Sequence, residues 1–241
     1  MMKGMDVLAG LLRADWFLKG AAGFAIGLGA TLAFSSGNAR AETALLAPRP
    51  VLDAVPARSL ETAVFAGGCF WGVEGVFSHV KGVRLVQSGY AGGPRGKKVG
   101  YEQVSRGNTG FAEAVSVTYD PKIISYGGLM RIFFSVIADP TTLNYQGPDH
   151  GTQYRSALFP LNDEQAKAAR AYLTQLDQAG LWKGSVVTKI EAFNGFVRAE
   201  SEHQDFMEKN PRHPYVVGWD RPKLAALKRL YPDVYSARPS L

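Results

Sequence analysis

The spacing of apolar and polar residues changes several times along the chain, and each change marks an element. Thr62 to Ala66 is a short apolar run of strand character, closed by Gly67-Gly68. Val73, Val76, Phe77 and Val80 recur at helical spacing, which predicts a helix over 71–80 that Gly82 stops. Val83 to Tyr90 reads as a strand, with Val83 and Leu85 alternating and Gly92-Gly93-Pro94 ending it. A polar, glycine-rich loop runs from Gly93 to Gly110, and Ala114 to Tyr119 then alternates as a strand up to Asp120-Pro121. Ser125 is placed to cap a helix through Leu129, Ile132, Phe133 and Val136, and Asp139-Pro140 stops it. Tyr145 to Tyr154 reads as a long polar loop and Ser156 to Phe159 as a short strand. Asn162-Asp163-Glu164 opens a helix to about Ala179, with acids at its positive end. Val186 to Phe193 predicts another strand, and Ser201 to Glu208 a last short helix ended by Asn210-Pro211.

The first six elements run β-α-β-β-α-β, the order of the split βαβ unit, with helices on one face of a mostly antiparallel sheet. The expected fold class is therefore α+β: a ferredoxin-like βαββαβ core sandwich followed by an extra helix, a strand and a loop-rich C-terminal segment. Ahead of it, Lys3, Arg13 and Lys19 precede an apolar run from Gly20 to Phe34, and Ser35 to Asn38 break the run before Ala39-Arg40-Ala41. A charged start, a short apolar stretch and a small-x-small site spell a signal peptide over 1–41, cleaved after Ala41. The run falls short of the roughly 20 residues a membrane span needs. The expected organisation is thus a signal peptide at 1–41, a Pro- and Ala-containing linker at 42–60 and a single catalytic domain at 61–241. The expected location is outside the cytoplasm, in a bacterial periplasm, with membrane contact only through an uncleaved leader.

Composition narrows the chemistry. The chain has 241 residues, of which 46% are hydrophobic and 20% charged, enough for a real core and too little charge for extended disorder. The net charge is +6, but the basic residues are scattered. Arg95, Lys97 and Lys98 form the one compact cluster, in a Gly/Pro loop that reads as solvated, and no nucleic-acid partner is expected. A single cysteine, Cys69, excludes an intramolecular disulfide and a thiolate-rich zinc site. The four histidines show no compact ligand spacing, so no metal is expected. In an exported protein a lone cysteine is buried and inert, paired between molecules, or a working thiol.

Cys69 follows a strand and two glycines and immediately precedes a helix. Free backbone N–H groups and the helix dipole at such a corner favour a thiolate. Gly67 and Gly68 would leave space for a substrate to approach, and Phe70 and Trp71 would give the site an aromatic wall. A buried core cysteine at a strand end is the competing reading of the same local features.

Gly68-Cys69-Phe70-Trp71-Gly72 with Glu74 resembles the signature of the A-type peptide methionine sulfoxide reductases. The resemblance continues through Gly89-Tyr90-Ala91-Gly92-Gly93, Thr109-Gly110-Phe111-Ala112-Glu113, Tyr119-Asp120-Pro121 and Asp139-Pro140-Thr141-Thr142 with Asn144. It also includes Gln146 through Ser156, Ala199-Glu200 and His203-Gln204, and covers about residues 62 to 215. It implies thiol-dependent reduction of the S epimer of methionine sulfoxide, peptide-bound or free, through a cysteine sulfenic acid. It makes Cys69 the nucleophile and Glu113 the acid; apolar Phe111, Ala112, Ala114 and Val115 around Glu113 would hold its proton near neutral pH. Tyr101 and Tyr154 match tyrosines whose hydroxyls bind the sulfoxide oxygen, Phe70 and Trp71 would wall the methyl pocket, and Asp149 would help bind substrate. The expected partners are oxidised proteins or peptides and methionine sulfoxide itself. No cofactor is implied.

The chain departs from the family pattern in ways that matter. Many members resolve the sulfenic acid with further cysteines near the C-terminus; Pro211-Arg212-His213-Pro214-Tyr215 and onward has none. An external thiol reductant, such as a thioredoxin-like protein, must finish the cycle. Val99-Gly100 stands before Tyr101 where Pro-Thr is usual, which questions the placement of Tyr101. Phe111 replaces a common His, Glu202 a common Tyr, and Ser105 lies where some members have Cys. Two other functions compete: a cysteine hydrolase pairing Cys69 with His150 or His203 and Asn144, and a binding module for oxidised Met segments that has lost turnover.

Overall fold

The computed structural model describes residues 44–240, so the signal peptide assigned to 1–41 lies outside the described residues. Strands β1 (Glu61–Gly67), β2 (Val83–Ala91) and β3 (Ala112–Tyr119) alternate with helices α1 (Phe70–Ser78) and the short α2 (Tyr101–Val104). Helix α3 (Tyr126–Ile132) follows, then the two-residue strands β4 (Tyr145–Gln146) and β5 (Asp149–His150) and the strand β6 (Ser156–Phe159). Helix α4 (Asp163–Ala179), strands β7 (Lys189–Ile190) and β8 (Val197–Arg198), and helices α5 (Phe206–Lys209) and α6 (Arg221–Leu230) complete the chain.

The six-stranded sheet has the order β7-β6-β1-β3-β2-β8. Its central strands β6-β1-β3-β2 are antiparallel to one another, so the β1-α1-β2 and β3-α3-β6 units interleave, while β7 adds to β6 in parallel and β8 to β2 antiparallel. The fold is α+β. Period-two alternation in β1 divides two cores: Ala63 and Phe65 belong to the large one with α1, α3, α4 and α6, whereas Val64 and Ala66 belong to a small one with Ala112, Ala114 and Phe159. Phe65 anchors the large core, its ring 5.2 Å from Phe77 and 5.4 Å from Phe133.

Five expectations are corrected. The strand drawn over Val186 to Phe193 shrinks to Lys189–Ile190; the rest is loop, so that Phe193 and Phe196 can cover the small core. The helix expected over Ser201 to Glu208 is split at Asp205, which adopts a left-handed conformation (φ +55°) and gives its N–H to Glu74. The Gly-rich loop holds α2, and the loop-rich C-terminus holds α6, which packs Ala226 and Leu227 into the large core. The helix capped by Ser125 ends in a π-turn over Phe133–Ile137, closed by the Ala138 N–H on the Phe133 carbonyl at 2.9 Å.

Residues 44–60, read as part of a linker, carry no regular secondary structure but are fastened to the domain. Leu45 N–H donates to the Ser135 carbonyl (3.1 Å), Ala47 N–H to Ser135 Oγ (2.9 Å), and Tyr172 Oη to the Pro48 carbonyl (2.8 Å). Asp53 accepts from Ser125 Oγ (2.5 Å) and from the Gly127 N–H (2.7 Å), satisfying a free amide at the start of α3. Asp53→Ala removes both bonds while leaving the Ser125 cap, and is expected to lower stability by about 1–3 kcal/mol. Urea unfolding checks this; an unchanged midpoint counts against a clamping role for the strap.

Candidate active site

The site sits where β1 ends. Gly67 pairs with Ser156 at the start of β6, and Phe65 faces Val115 on β3, so two residues further on Glu113 comes across from Gly67. Tyr90, at the far end of β2, pairs with Glu113. One end of the sheet therefore gathers Cys69, Glu113 and the approach to Tyr154.

Gly67 and Gly68 do not leave an opening for substrate, as their sequence suggests. A Cβ on Gly67 would lie 2.5 Å from the Phe133 ring, and one on Gly68, at φ +89°, would lie 2.7 Å from Gln146 Cβ. The glycines admit protein. Gln146 is buried and is held by the Asp139 N–H (2.9 Å), while its amide donates to the Asp139 carbonyl (2.9 Å) and to Thr142 Oγ1 (2.6 Å). Because Gln146 pairs with Asp149 in the β4–β5 hairpin, packing Gln146 against Gly68 brings Asp149 to the site.

Cys69 is the N-cap of α1, where its side chain makes no capping hydrogen bond, and the backbone N–H of Trp71 lies close enough to favour the ionised sulfur. Part of its surface stays open while the thiol is ringed by protein. Burial pushes the thiol up, and the charges of Glu113, Asp220 and Asp149 push it further; the Trp71 N–H opposes them. The thiolate expected from the helix start is therefore not the resting form: desolvation and three carboxyls outweigh one backbone donor.

Glu113 is 2% exposed, and its Oε2 accepts the Phe70 N–H at 3.0 Å, one residue from Cys69. Burial raises it to about 8, partly offset by that N–H. It is a protonated acid at neutral pH. The phenols of Tyr101 and Tyr154 both lie in the fields of Glu113, Asp149 and Cys69. Burial followed by those charges raises Tyr101 to about 12 and pushes Tyr154 up as well, so both keep their protons and can donate to an oxygen.

Glu200 settles the placement of Tyr101. Its carboxylate accepts the Tyr101 N–H (2.9 Å) and the Tyr90 hydroxyl (2.9 Å). Gly100 caps α2 with extended backbone, and a Cβ there would fall 2.6 Å from Glu200 Oε1. Gly100 thus makes room for the anchor of Tyr101. Ser105 closes α2 with its hydroxyl on the Tyr101 carbonyl at 2.8 Å.

Phe70 and Trp71 divide their expected role. Phe70 is 0% exposed and packs beneath Tyr101, Tyr90 and His203, so it backs the wall without offering surface. Trp71 stays partly exposed, stacked 3.7 Å from Phe206, with its Nε1–H on His203 Nδ1 at 3.2 Å. Burial lowers His203, and a neutral ring that accepts at Nδ1 carries its proton on Nε2. No histidine among the described residues is hydrogen-bonded to Cys69. His203 serves Trp71 and His150 stacks on Tyr145, so the cysteine–histidine pair of a hydrolase is not assembled.

Two residues of the site have no counterpart in the sequence reading. Tyr215 donates its hydroxyl to Asp149 Oδ2 and turns its ring edge-on to Trp71. Asp220 is buried against Gly72 of α1, and burial, with Asp149 adding, raises it to about 7 against the pull of Lys223. Both lie in the segment read as loop. Leu224, Leu227 and Leu230, at three-residue spacing after Pro222, were the available signal for α6 and for the ordered turn before it.

A sequence profile described as peptide methionine sulfoxide reductase matches residues 61–232. A protein of Mesorhizobium japonicum named peptide methionine sulfoxide reductase MsrA 2 is 53% identical over 190 residues, covering 79% of this chain and 97% of that protein. One of the same name from Synechocystis is 47% identical, covering 79% and 91%. Among solved structures, methionine sulfoxide reductase A of Corynebacterium diphtheriae is 32% identical with a TM-score of 0.56, covering 71% of this chain and 90% of that one. The reduced form of Mxr1 from Saccharomyces cerevisiae is 35% identical with a TM-score of 0.56, covering 66% and 91%.

Glu113 also leaves a mark on stability. Its proton affinity is raised on folding, from 4.5 to about 8. The folded chain therefore binds more protons than the unfolded one across that window, and this group's contribution falls as pH rises through it. Glu113→Gln, which carries no charge, is expected to show a shallower decline in melting temperature between pH 4.5 and about 8. Parallel declines in the two proteins would place the Glu113 charge in a solvated setting.

Proposed function

The chain belongs to the peptide methionine sulfoxide reductase family and is a peptide-methionine sulfoxide reductase, and on that premise we propose that it reduces the S epimer at sulfur through a sulfenic acid on Cys69. The observation that carries this course is the placement of Glu113. It is tied to the amide next to Cys69 and is still protonated at neutral pH. A sulfoxide sulfur becomes strongly electrophilic only when its oxygen is protonated, and Glu113 holds that proton beside the thiol. Tyr101 and Tyr154 donate to the same oxygen, and Trp71 offers the apolar face for the S-methyl group. Cys69 attacks the sulfur, the S–O bond breaks, methionine leaves, and the cysteine keeps the oxygen as a sulfenic acid. The methionine sulfur is reduced by two electrons and the cysteine sulfur oxidised by two.

Cys69 is the chain's one cysteine, so the sulfenic acid is returned to thiol by an external thiol, in our reading a thioredoxin-like protein. The leader-like segment 1–41 supports export to a bacterial periplasm and a role in repairing oxidised exported proteins.

A single turnover without reductant tests the course. About one equivalent of methionine per protein is expected from a peptide carrying the S-sulfoxide, with Cys69 trapped as sulfenic acid. Cys69→Ser releases none, and Glu113→Gln slows release by about 100-fold or more. The wild-type rate falls above about pH 8, where Glu113 loses its proton. Tight sulfoxide binding with no methionine released and Cys69 intact would instead establish a binding module.

A further inference from the structure

The course above gives the sulfoxide oxygen its proton but leaves the thiol proton without a destination. Cys69 is not ionised at rest, so its attack requires a base. Glu113 cannot serve, because it is still holding the proton it is about to donate.

We propose that Asp220 is the base that takes the Cys69 thiol proton as the sulfur attacks. Asp220 is 1% exposed, and its Oδ2 has no hydrogen-bond partner. A buried carboxyl oxygen without a donor is costly, and such a group calls for an explanation. Its place on α1 supplies one. A Cβ built on Gly72 would lie 2.3 Å from Asp220 Oδ1. Side chains on a helix lean toward its N-terminus, so whatever fills that direction at Gly72 covers the preceding turn. Cys69 lies three residues earlier, on the same face. Gly72 thus opens the first turn of α1 to a carboxyl from the C-terminal segment, and Asp220 acts on the Cys69 thiol from there.

The surrounding charges set the division of labour. Asp149 pushes Asp220 up and Lys223 pulls it down, while Tyr215 on the same segment feels both Asp220 and Cys69. Asp220 loses its proton at about 7 and Glu113 at about 8. Between these values Asp220 is a carboxylate and Glu113 a carboxylic acid, and both act on the one thiol. Two acids with separated affinities are the usual way a site assigns a base and an acid.

The step balances. The thiol S–H bond breaks and its proton goes to Asp220, directly or through one water. The freed sulfur pair bonds to the sulfoxide sulfur, and the oxygen takes the Glu113 proton. Collapse gives methionine and the Cys69 sulfenic acid. The site is left with Asp220 protonated and Glu113 ionised, and it resets when a proton passes from one to the other.

This assignment rests on Cys69 attacking sulfur as proposed above, and the test separates the two. Single-turnover methionine release and iodoacetamide alkylation of Cys69 are followed across the neutral pH range. In Asp220→Asn, release is expected to slow by about 100-fold or more and to lose its acid limb near pH 7. Alkylation shifts the opposite way, to lower pH, because a buried negative charge near the thiol is gone. Asp220→Glu, which keeps a carboxyl, is expected to recover release and retain an acid limb. Faster release together with easier alkylation would make Asp220 an electrostatic brake and overturn the proposal, as would no change in either. If Asp220→Asn fails to fold, Gly72→Ala replaces it: it displaces the carboxyl without removing it. Slowed release with easier alkylation is expected, and unchanged release overturns the assignment. Methionine released by Cys69→Ser would bring down the reading of Cys69 itself; about one equivalent from the wild type, with Asp220→Asn indistinguishable from it, would bring down Asp220 alone.

Discussion

The structure depends on the corner at Gly67-Gly68-Cys69, where a strand gives way to a helix in no spare space. Phe133 fills the volume above Gly67 and Gln146 fills that above Gly68. Those contacts join the π-turned end of α3 and the β4–β5 hairpin to the end of β1. The hydrogen bond from the Phe70 amide to Glu113 ties the start of α1 to β3 at the same point. The position of each partner follows from the corner: Cys69 by chain continuity, Glu113 by strand register, and Asp149 through its pairing with Gln146. A side chain at either glycine would move several of these groups together.

The corner also explains why the Cys69 thiol keeps its proton at rest. A helix start favours an anion, but only within its first turn and most effectively where water is scarce on that side alone. Here Glu113, Asp149 and Asp220 converge on the same turn from distant parts of the sequence. An ionised thiol would be a further negative charge in a poorly solvated cluster. A neutral, dipolar sulfoxide suits such a site, because the Glu113 carboxyl and the Tyr101 and Tyr154 phenols keep their protons there.

Legibility in the sequence followed contact distance along the chain. β1, α1, β3, β6 and α4 have clear periodicity and clear stops, and their residues gave them away; Asn162 and Ser125 cap as their residue types suggested. Cys69 and Glu113 were visible through local motif and resemblance. What failed was information held by another part of the chain. Val186 to Phe193 has strand composition, but Phe193 is needed over the small core, and only Lys189–Ile190 pairs. Gly100 looked like a weakness before Tyr101 because its function is to accommodate Glu200, a hundred residues later. Asp220 resembled any acid before a basic stretch until α6 placed it over Gly72. The thiol's charge state was misread for the same reason: local geometry was in view, and the three carboxyls were not.

The strap at 44–54 bears on where this protein begins as a physical object. The family profile starts at residue 61, but among the described residues the hydrogen bonds that close α3 and α4 start at Leu45. Trimming of the N-terminus meets that line at Leu45, where the first of these bonds is lost. Beyond it, each residue lost uncovers Ser135, Tyr172 or the first amides of α3, and the trimmed product would be a looser molecule rather than a shorter one.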